Sequence, residues 1–227
     1  MQAYNCSRRR MQATMTGERR KFRREGADTR RQALVMATLD LISEQGVRGA
    51  TVRAIAERAD VTQGLIRHYF STKDELVQEA YLAHMAGLTE QTFAGVAERE
   101  TARERLAALV VASVTPPVVD SASVGLWAGV LNHVRQDARM RAVHAQTYHD
   151  FRDRLEGLIV AALAEAGRGP DAGQARRLAI ACNAVIDGLW LEGGALPEAF
   201  EPDELTGIAL TAVGAILQLD LEEAAKT

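Results

Sequence analysis

Apolar residues recur along this chain at helical intervals, and hardly anywhere with the period of two that a half-buried strand requires. Leu34, Thr38, Leu41 and Ile42 share one face of a helix predicted from Asp28 to Gln45, closed by Gly46 and turned by Gly49. Val52, Ile55, Ala56 and Ala59 then fall at i, i+3, i+4 and i+7, a second, short helix with Thr51 before it as N-cap. Asp60-Val61 makes a turn, and Thr62 caps a third helix. That helix carries Ile66 and Phe70 on an apolar side and Gln63, Gly64, Arg67 and His68 on a polar one. It stops at Phe70-Ser71. Thr72-Lys73-Asp74-Glu75 reads as a capping box opening a fourth helix with a stripe of Leu76, Val77, Ala80, Tyr81, His84 and Leu88.

The pattern stays helical to the end. Thr101 to Glu104 is a second capping box, and its helix (Leu106, Leu109, Val110) is ended by Pro116-Pro117. An apolar segment from Val124 to Val134 follows. A long helix then runs from Arg139 to Ala166 through Val143, Thr147, Phe151, Leu155, Leu158, Ile159 and Leu163, broken by Gly167 to Pro170. Two very apolar helices close the chain. One spans Gln174 to Gly193. The other starts at Glu201-Pro202-Asp203-Glu204, with Pro at its first position and acids in its first turn. The fold class is all-α, with about nine helices.

Charge changes the picture more than composition does. The 227 residues carry a net charge of only −3, but residues 1–31 hold +7, residues 32–82 −2 and residues 83–227 −8. A basic head on an acidic body suits a chain whose one end meets phosphate. Residues 1–27, with RRR at 8–10 and RRKFRR at 19–24, have almost nothing to bury and read as a disordered basic arm. Such an arm either tracks phosphates or the minor groove, or is a solvated leader. Cys6 and Cys182 are too few and too far apart for a disulfide framework and read as reduced thiols. No run of eighteen apolar residues is present, so no membrane partner is expected.

Two short helices joined by a tight turn, the second with a polar and partly basic outer face, form a helix-turn-helix, whose second helix enters a DNA major groove. The wording of Thr51 to Lys73, TVRAIAERADVTQGLIRHYFSTK, strongly resembles the DNA-binding domain of the TetR family of bacterial transcription regulators. The likeness runs from Arg30 to Tyr81. Asp60 departs from it, standing where the family usually has a glycine that ends a helix in a left-handed conformation. The resemblance implies that Thr51 and Lys73, at helix N-termini, face phosphates, and that Arg53 and Arg67 contact bases, a guanidinium matching guanine O6 and N7. Thr62 belongs to the same set. Gln63 would read adenine, Gly64 would allow close approach, Leu65 would touch a thymine methyl, and His68 and Tyr69 would reach the backbone. Plainer readings stand beside these: Arg53 as a solvated charge, Leu65 and Tyr69 as core.

Residues 83–220 resemble the C-terminal domain of the BetI-like subgroup. The resemblance rests on Trp127 with His133, the run from Arg141 through Tyr148 to Arg152, and Ala184-Val-Ile-Asp-Gly-Leu-Trp190. It implies a homodimer through the last two helices, with Leu178, Cys182, Val185, Ile186, Leu189, Ile208, Ala212, Val213 and Ile216 at the interface. It also implies an effector pocket, for which Met85, Phe93, Trp127, His133, Thr147, Tyr148, Phe151 and Trp190 are candidates. Aromatic walls suit a quaternary ammonium ion such as choline, although ordinary core aromatics have the same spacing.

Catalytic residues, a cofactor and a metal are not expected. The five histidines are scattered, His144 and His149 miss the i, i+4 spacing of a helical metal pair, and neither a phosphate loop nor a nucleophile elbow occurs. The domains expected are therefore the arm (1–27), a helix-turn-helix domain (28–72) and a helical effector-binding and dimerisation domain (73–227). The function expected is that of a cytoplasmic regulator, a repressor released from a palindromic double-stranded operator by a small-molecule effector. Two alternatives stay open: a DNA-binding regulator without such an effector, and a helical ligand-binding protein without DNA function.

Overall fold

Helices in this chain begin where a side chain can satisfy their first free N–H groups. Thr51 Oγ1 accepts from the Ala54 N–H at 3.2 Å, Thr62 from Leu65 at 3.3 Å, and Thr72 from Glu75 at 3.1 Å. Thr101 and Glu104 form a complete capping box. Asp120, Asp137 and Asp171 cap three more helices through their carboxylates. Glu75 departs from the expected box: its carboxylate reaches past Thr72 to the Ser71 N–H at 2.7 Å.

The computed structural model describes residues 28–226, so the expected arm and Cys6 lie outside the described residues. Helix α1 covers 28–49, α2 Val52–Arg58, α3 Gln63–Tyr69 and α4 Lys73–Phe93. The body holds α5 Ala102–Ser113, α6 Ser121–Gln136, α7 Ala138–Glu165, α8 Ala172–Ala195, α9 Glu204–Leu217 and the single turn α10 Leu221–Ala224. All regular structure among the described residues is helical. The expected start of α9 is corrected. Glu201 to Glu204 closes as a turn, Glu204 N–H to Glu201 O at 3.1 Å, with Asp203 left-handed (φ +65°), so Pro202 stays outside the helix.

The turn between α2 and α3 is a Schellman motif: the Val61 N–H bonds Ala56 O at 2.9 Å, and Asp60 between them has φ +52°. A side chain there is strained, and Asp60→Gly should stabilise the protein by about 0.5–1 kcal/mol. A rise in the urea midpoint with unchanged slope would report it.

Two apolar cores form. The first joins Leu34, Leu41, Ile42, Ile55, Ile66 and Phe70 to Leu76, Val77, Ala80 and Tyr81 of α4 and to Leu126, Val130 and Met140 of the body. The first half of α4 thus packs with the first three helices, so this core extends across residue 72. The second core packs α5, α7, α8, α9 and α10 around Leu106, Leu109, Val110, Leu155, Ile159, Leu163, Val213 and Leu217. Cys182 lies in this core with no exposure, and burial pushes its thiol up to about 12, which keeps it protonated.

Helix α8 reaches a mean hydropathy of 1.2 over eighteen residues, long and apolar enough to cross a membrane by composition although its apolar run is interrupted. It packs instead against α5, α6, α7 and α9. Its last turn approaches α6 and α9 so closely that a Cβ on Gly194 would sit 2.5 Å from Val124 Cγ2, and one on Gly193 2.5 Å from Leu205 Cδ1.

Candidate functional site

At the tip of the head, α3 turns Ile66 and Phe70 into the core and leaves Gln63, Gly64, Arg67 and His68 exposed, with Leu65 and Tyr69 half-buried between. Arg53 on α2 is 80% exposed and donates to Glu57 at 2.8 Å. A surface pair of this kind contributes little, so the guanidinium can exchange Glu57 for another acceptor at small cost. Thr51 and Thr62 spend their hydroxyls on capping, which fixes the N-termini of α2 and α3 at the surface. Lys73 is more occupied than expected: its Nζ donates to Val47 O at 3.0 Å, tying the end of α1 to the start of α4. Arg53, Gln63 and Thr62 border one concave surface between α2 and α3.

Gly64 has a telling environment. A Cβ built there meets only Thr62 Oγ1, at 3.7 Å, so the protein's own packing does not require a glycine. Gly64→Ala should leave stability unchanged or raise it by up to about 1 kcal/mol, while weakening DNA binding about tenfold through lost close approach. Thermal melts and DNA titrations on the same samples separate the two effects.

The second site is a cavity between α4, α5, α6, α7 and α8. Met85, Trp127, Thr147, Tyr148, Phe151 and Trp190 line it, six of the eight residues expected there. Phe93 and His133 do not line it. The Phe93 ring is taken up between Arg154, 3.7 Å from its centroid, and Phe151, with which it packs edge-on at 5.9 Å. His133 is six residues after Trp127, about 240° round a helix of 3.6 residues per turn, and so faces elsewhere. The two tryptophans meet edge to face at 6.0 Å, and Trp190 Nε1 is fixed by donation to Val118 O at 2.8 Å.

Sequence reasoning missed the polar half of this wall: Thr89, Thr92, Ser113, Asn183 and above all Asp187. Asn183 Nδ2 donates to Asp187 Oδ2 at 2.8 Å, and the Tyr148 hydroxyl also interacts with it. Burial outweighs these partners and raises the Asp187 carboxyl to about 6, while burial and Asp187 push the Tyr148 phenol up to about 12. The signal was present in the sequence, since an acid interrupts the apolar run Ala184 to Trp190 one turn before a tryptophan.

The expected interface residues divide. Cys182, Ile186 and Val213 are buried within the protomer and cannot meet a partner. Leu178, Val185, Leu189 and Ile216 also pack against the second core, though only partly buried. The outward apolar face consists of Ile180, Ala184 and Leu191 on α8 with Ile208, Ala212 and Ala215 on α9. Ile180, Leu191 and Ile208 are 39–43% exposed.

Residues 34–80 match the bacterial regulatory proteins of the tetR family, and residues 102–218 match the C-terminal domain of BetI-type transcriptional repressors. The chain belongs to the TetR family of transcriptional regulators. The HTH-type transcriptional regulator BetI of Burkholderia ambifaria is 34% identical over 171 residues, 73% of this chain and 82% of the relative. A transcriptional regulator from Pseudomonas aeruginosa PAO1 superimposes with a TM-score of 0.76 at 30% identity, covering 86% of this chain and 94% of that one. A regulator from Saccharomonospora viridis, solved in complex with choline, shares the fold at 19% identity, with a TM-score of 0.64 over 83% of this chain and 95% of that one. Transcription regulation by a TetR-family protein, rather than catalysis, is thus the function of this chain.

Proposed function

We propose that this regulator is a cytoplasmic homodimeric repressor that reads a palindromic operator through α2 and α3 and is released by an organic cation of quaternary ammonium type. The observation that carries the ligand class is Asp187, a carboxylate in a cavity walled by Trp127, Trp190 and Tyr148. Arg152 acts on this carboxylate electrostatically, yet burial still outweighs it, so a cation seated in the cavity would relieve the remaining cost, and aromatic faces around it attract a cation that has few hydrogen bonds to lose. That the S. viridis regulator binds choline is consistent with this reading. Cation binding needs the ionised carboxylate. Affinity should therefore rise as pH climbs through about 6 and level off above it. The chain's two tryptophans both line the cavity, so intrinsic fluorescence reports the site directly. Titration with choline chloride between pH 5 and 8 tests the reading. A saturable change that strengthens with pH supports it, and a flat signal throughout refutes the cationic effector.

Dimerisation would use the outward face of α8 and α9, where small residues let two helix pairs approach closely. Covering it by a second copy on the scale of about 1,600 Å² would give a stable interface. An Ala184→Glu, Ile208→Glu variant should sediment as a monomer and lose about 100-fold or more in operator affinity, because two half-sites about 34 Å apart would no longer be bound together.

A further inference from the structure

Among the described residues, Tyr81 is the one large side chain that belongs to the head core and also holds a polar bond to the body's long helix. Its ring is 1% exposed among the first-core residues. Its hydroxyl lies 2.8 Å from His144 Nδ1 on α7, and the two rings stack at 6.0 Å. Burial lowers the His144 pKa and keeps the Tyr81 phenol protonated, so a neutral ring and a neutral phenol share this bond, the ring's tautomer setting which of them donates. One turn further along α7, the Tyr148 ring lies 4.8 Å from that of His144. Tyr148 lines the cavity and interacts with Asp187. The cavity wall is therefore two ring contacts from the core of the head. Along α4 the distance is as short, since Met85, one turn after Tyr81, also lines the cavity.

We propose that the Tyr81–His144 hydrogen bond is the tether by which the cavity sets the position of α4 and the head, Tyr81 and His144 being positioning residues that touch neither DNA nor ligand. A ligand between Asp187, Tyr148 and Met85 displaces both ends of this tether at once. A buried bond of fixed geometry has two discrete states, made or broken, as a switch requires. The coupling part of the proposal rests on the effector reading above. The tether itself does not.

The test uses the full chain and Tyr81→Phe, which keeps the ring and deletes only the hydroxyl. His144→Asn, whose side-chain amide can accept or donate in place of Nδ1, is the conservative rescue, and Tyr81→Phe, His144→Leu removes both partners without orphaning either. Without ligand, amide exchange across residues 74–84 of α4 should be about tenfold faster in Tyr81→Phe and in the double variant, near wild type in His144→Asn, and unchanged in α9. With choline chloride as probe, the ratio of operator affinities without and with ligand should shrink at least about fivefold in Tyr81→Phe. Choline affinity by tryptophan fluorescence should stay within about twofold, a separation that general loosening would not produce. Wild-type exchange in α4 of Tyr81→Phe overturns the tether. A wild type that ignores choline removes the effector reading instead, and the ligand-free exchange still decides the tether.

Discussion

Asp187→Asn should make the protein more stable at neutral pH and deaf to its cation. Burial pushes the Asp187 carboxyl up to about 6 in the folded state, against 3.8 for an unperturbed aspartate. A raised carboxyl pKa means that folding penalises the ionised form. The cost is absent below the unfolded pKa, grows as pH rises between the two values, and is complete above the folded one. Two units at 1.36 kcal/mol each set a ceiling of about 3 kcal/mol, and water reaching the cavity brings the expected gain to about 2 kcal/mol at pH 8. Urea denaturation should show the variant ahead at pH 8, with the gap closing toward pH 4. The Asn183 bond is retained, because an amide oxygen accepts as the carboxylate did. Choline affinity should fall by about 100-fold or more, the charge partner being gone. A variant no more stable than wild type at pH 8 and still responsive would mean that Asp187 is an ordinary wall residue.

Arg53→Ala, Arg67→Ala is the second large effect, on the other face of the protein. Each guanidinium that reads a base contributes about 1–3 kcal/mol of discrimination, so the pair, present twice in a dimer, should cost about three orders of magnitude or more in operator affinity. Binding to unrelated DNA should change far less, because phosphate contacts supply it. Stability should stay near wild type: Arg53 has only its exposed bond to Glu57 to lose. Competition titrations with specific and random duplexes measure both quantities. Equal losses on the two duplexes would reassign these arginines from base reading to phosphate binding.

Local chemistry made the head legible in the sequence. Thr51, Thr62, Thr72 and Thr101 cap as their spacing implies, since a cap needs only residues three apart. Asp60 takes the left-handed conformation expected of its position because the turn has no other way to close. What stayed hidden needs three dimensions. Both sides of α8 are apolar, so its pattern cannot say that Cys182 and Ile186 point inward while Ile180 and Leu191 point out. Pro202 carries a helix-start signal, and the Glu204-to-Glu201 turn overrides it. Asp187 is visible as an acid in an apolar run, but its role as a cavity wall needs the opposing Trp127 and Tyr148 from other helices in place.

Repression as proposed requires that α2 and α3 read a specific DNA sequence. Fluorescence anisotropy of the wild-type protein on the intergenic DNA beside its own gene, set against random duplex over a range of salt, tests it most directly. Binding about a thousandfold tighter to the intergenic DNA, lost in Arg53→Ala, Arg67→Ala while weak random binding persists, is the result expected. Equal, weak affinity for every duplex, unchanged by the double substitution, would contradict it.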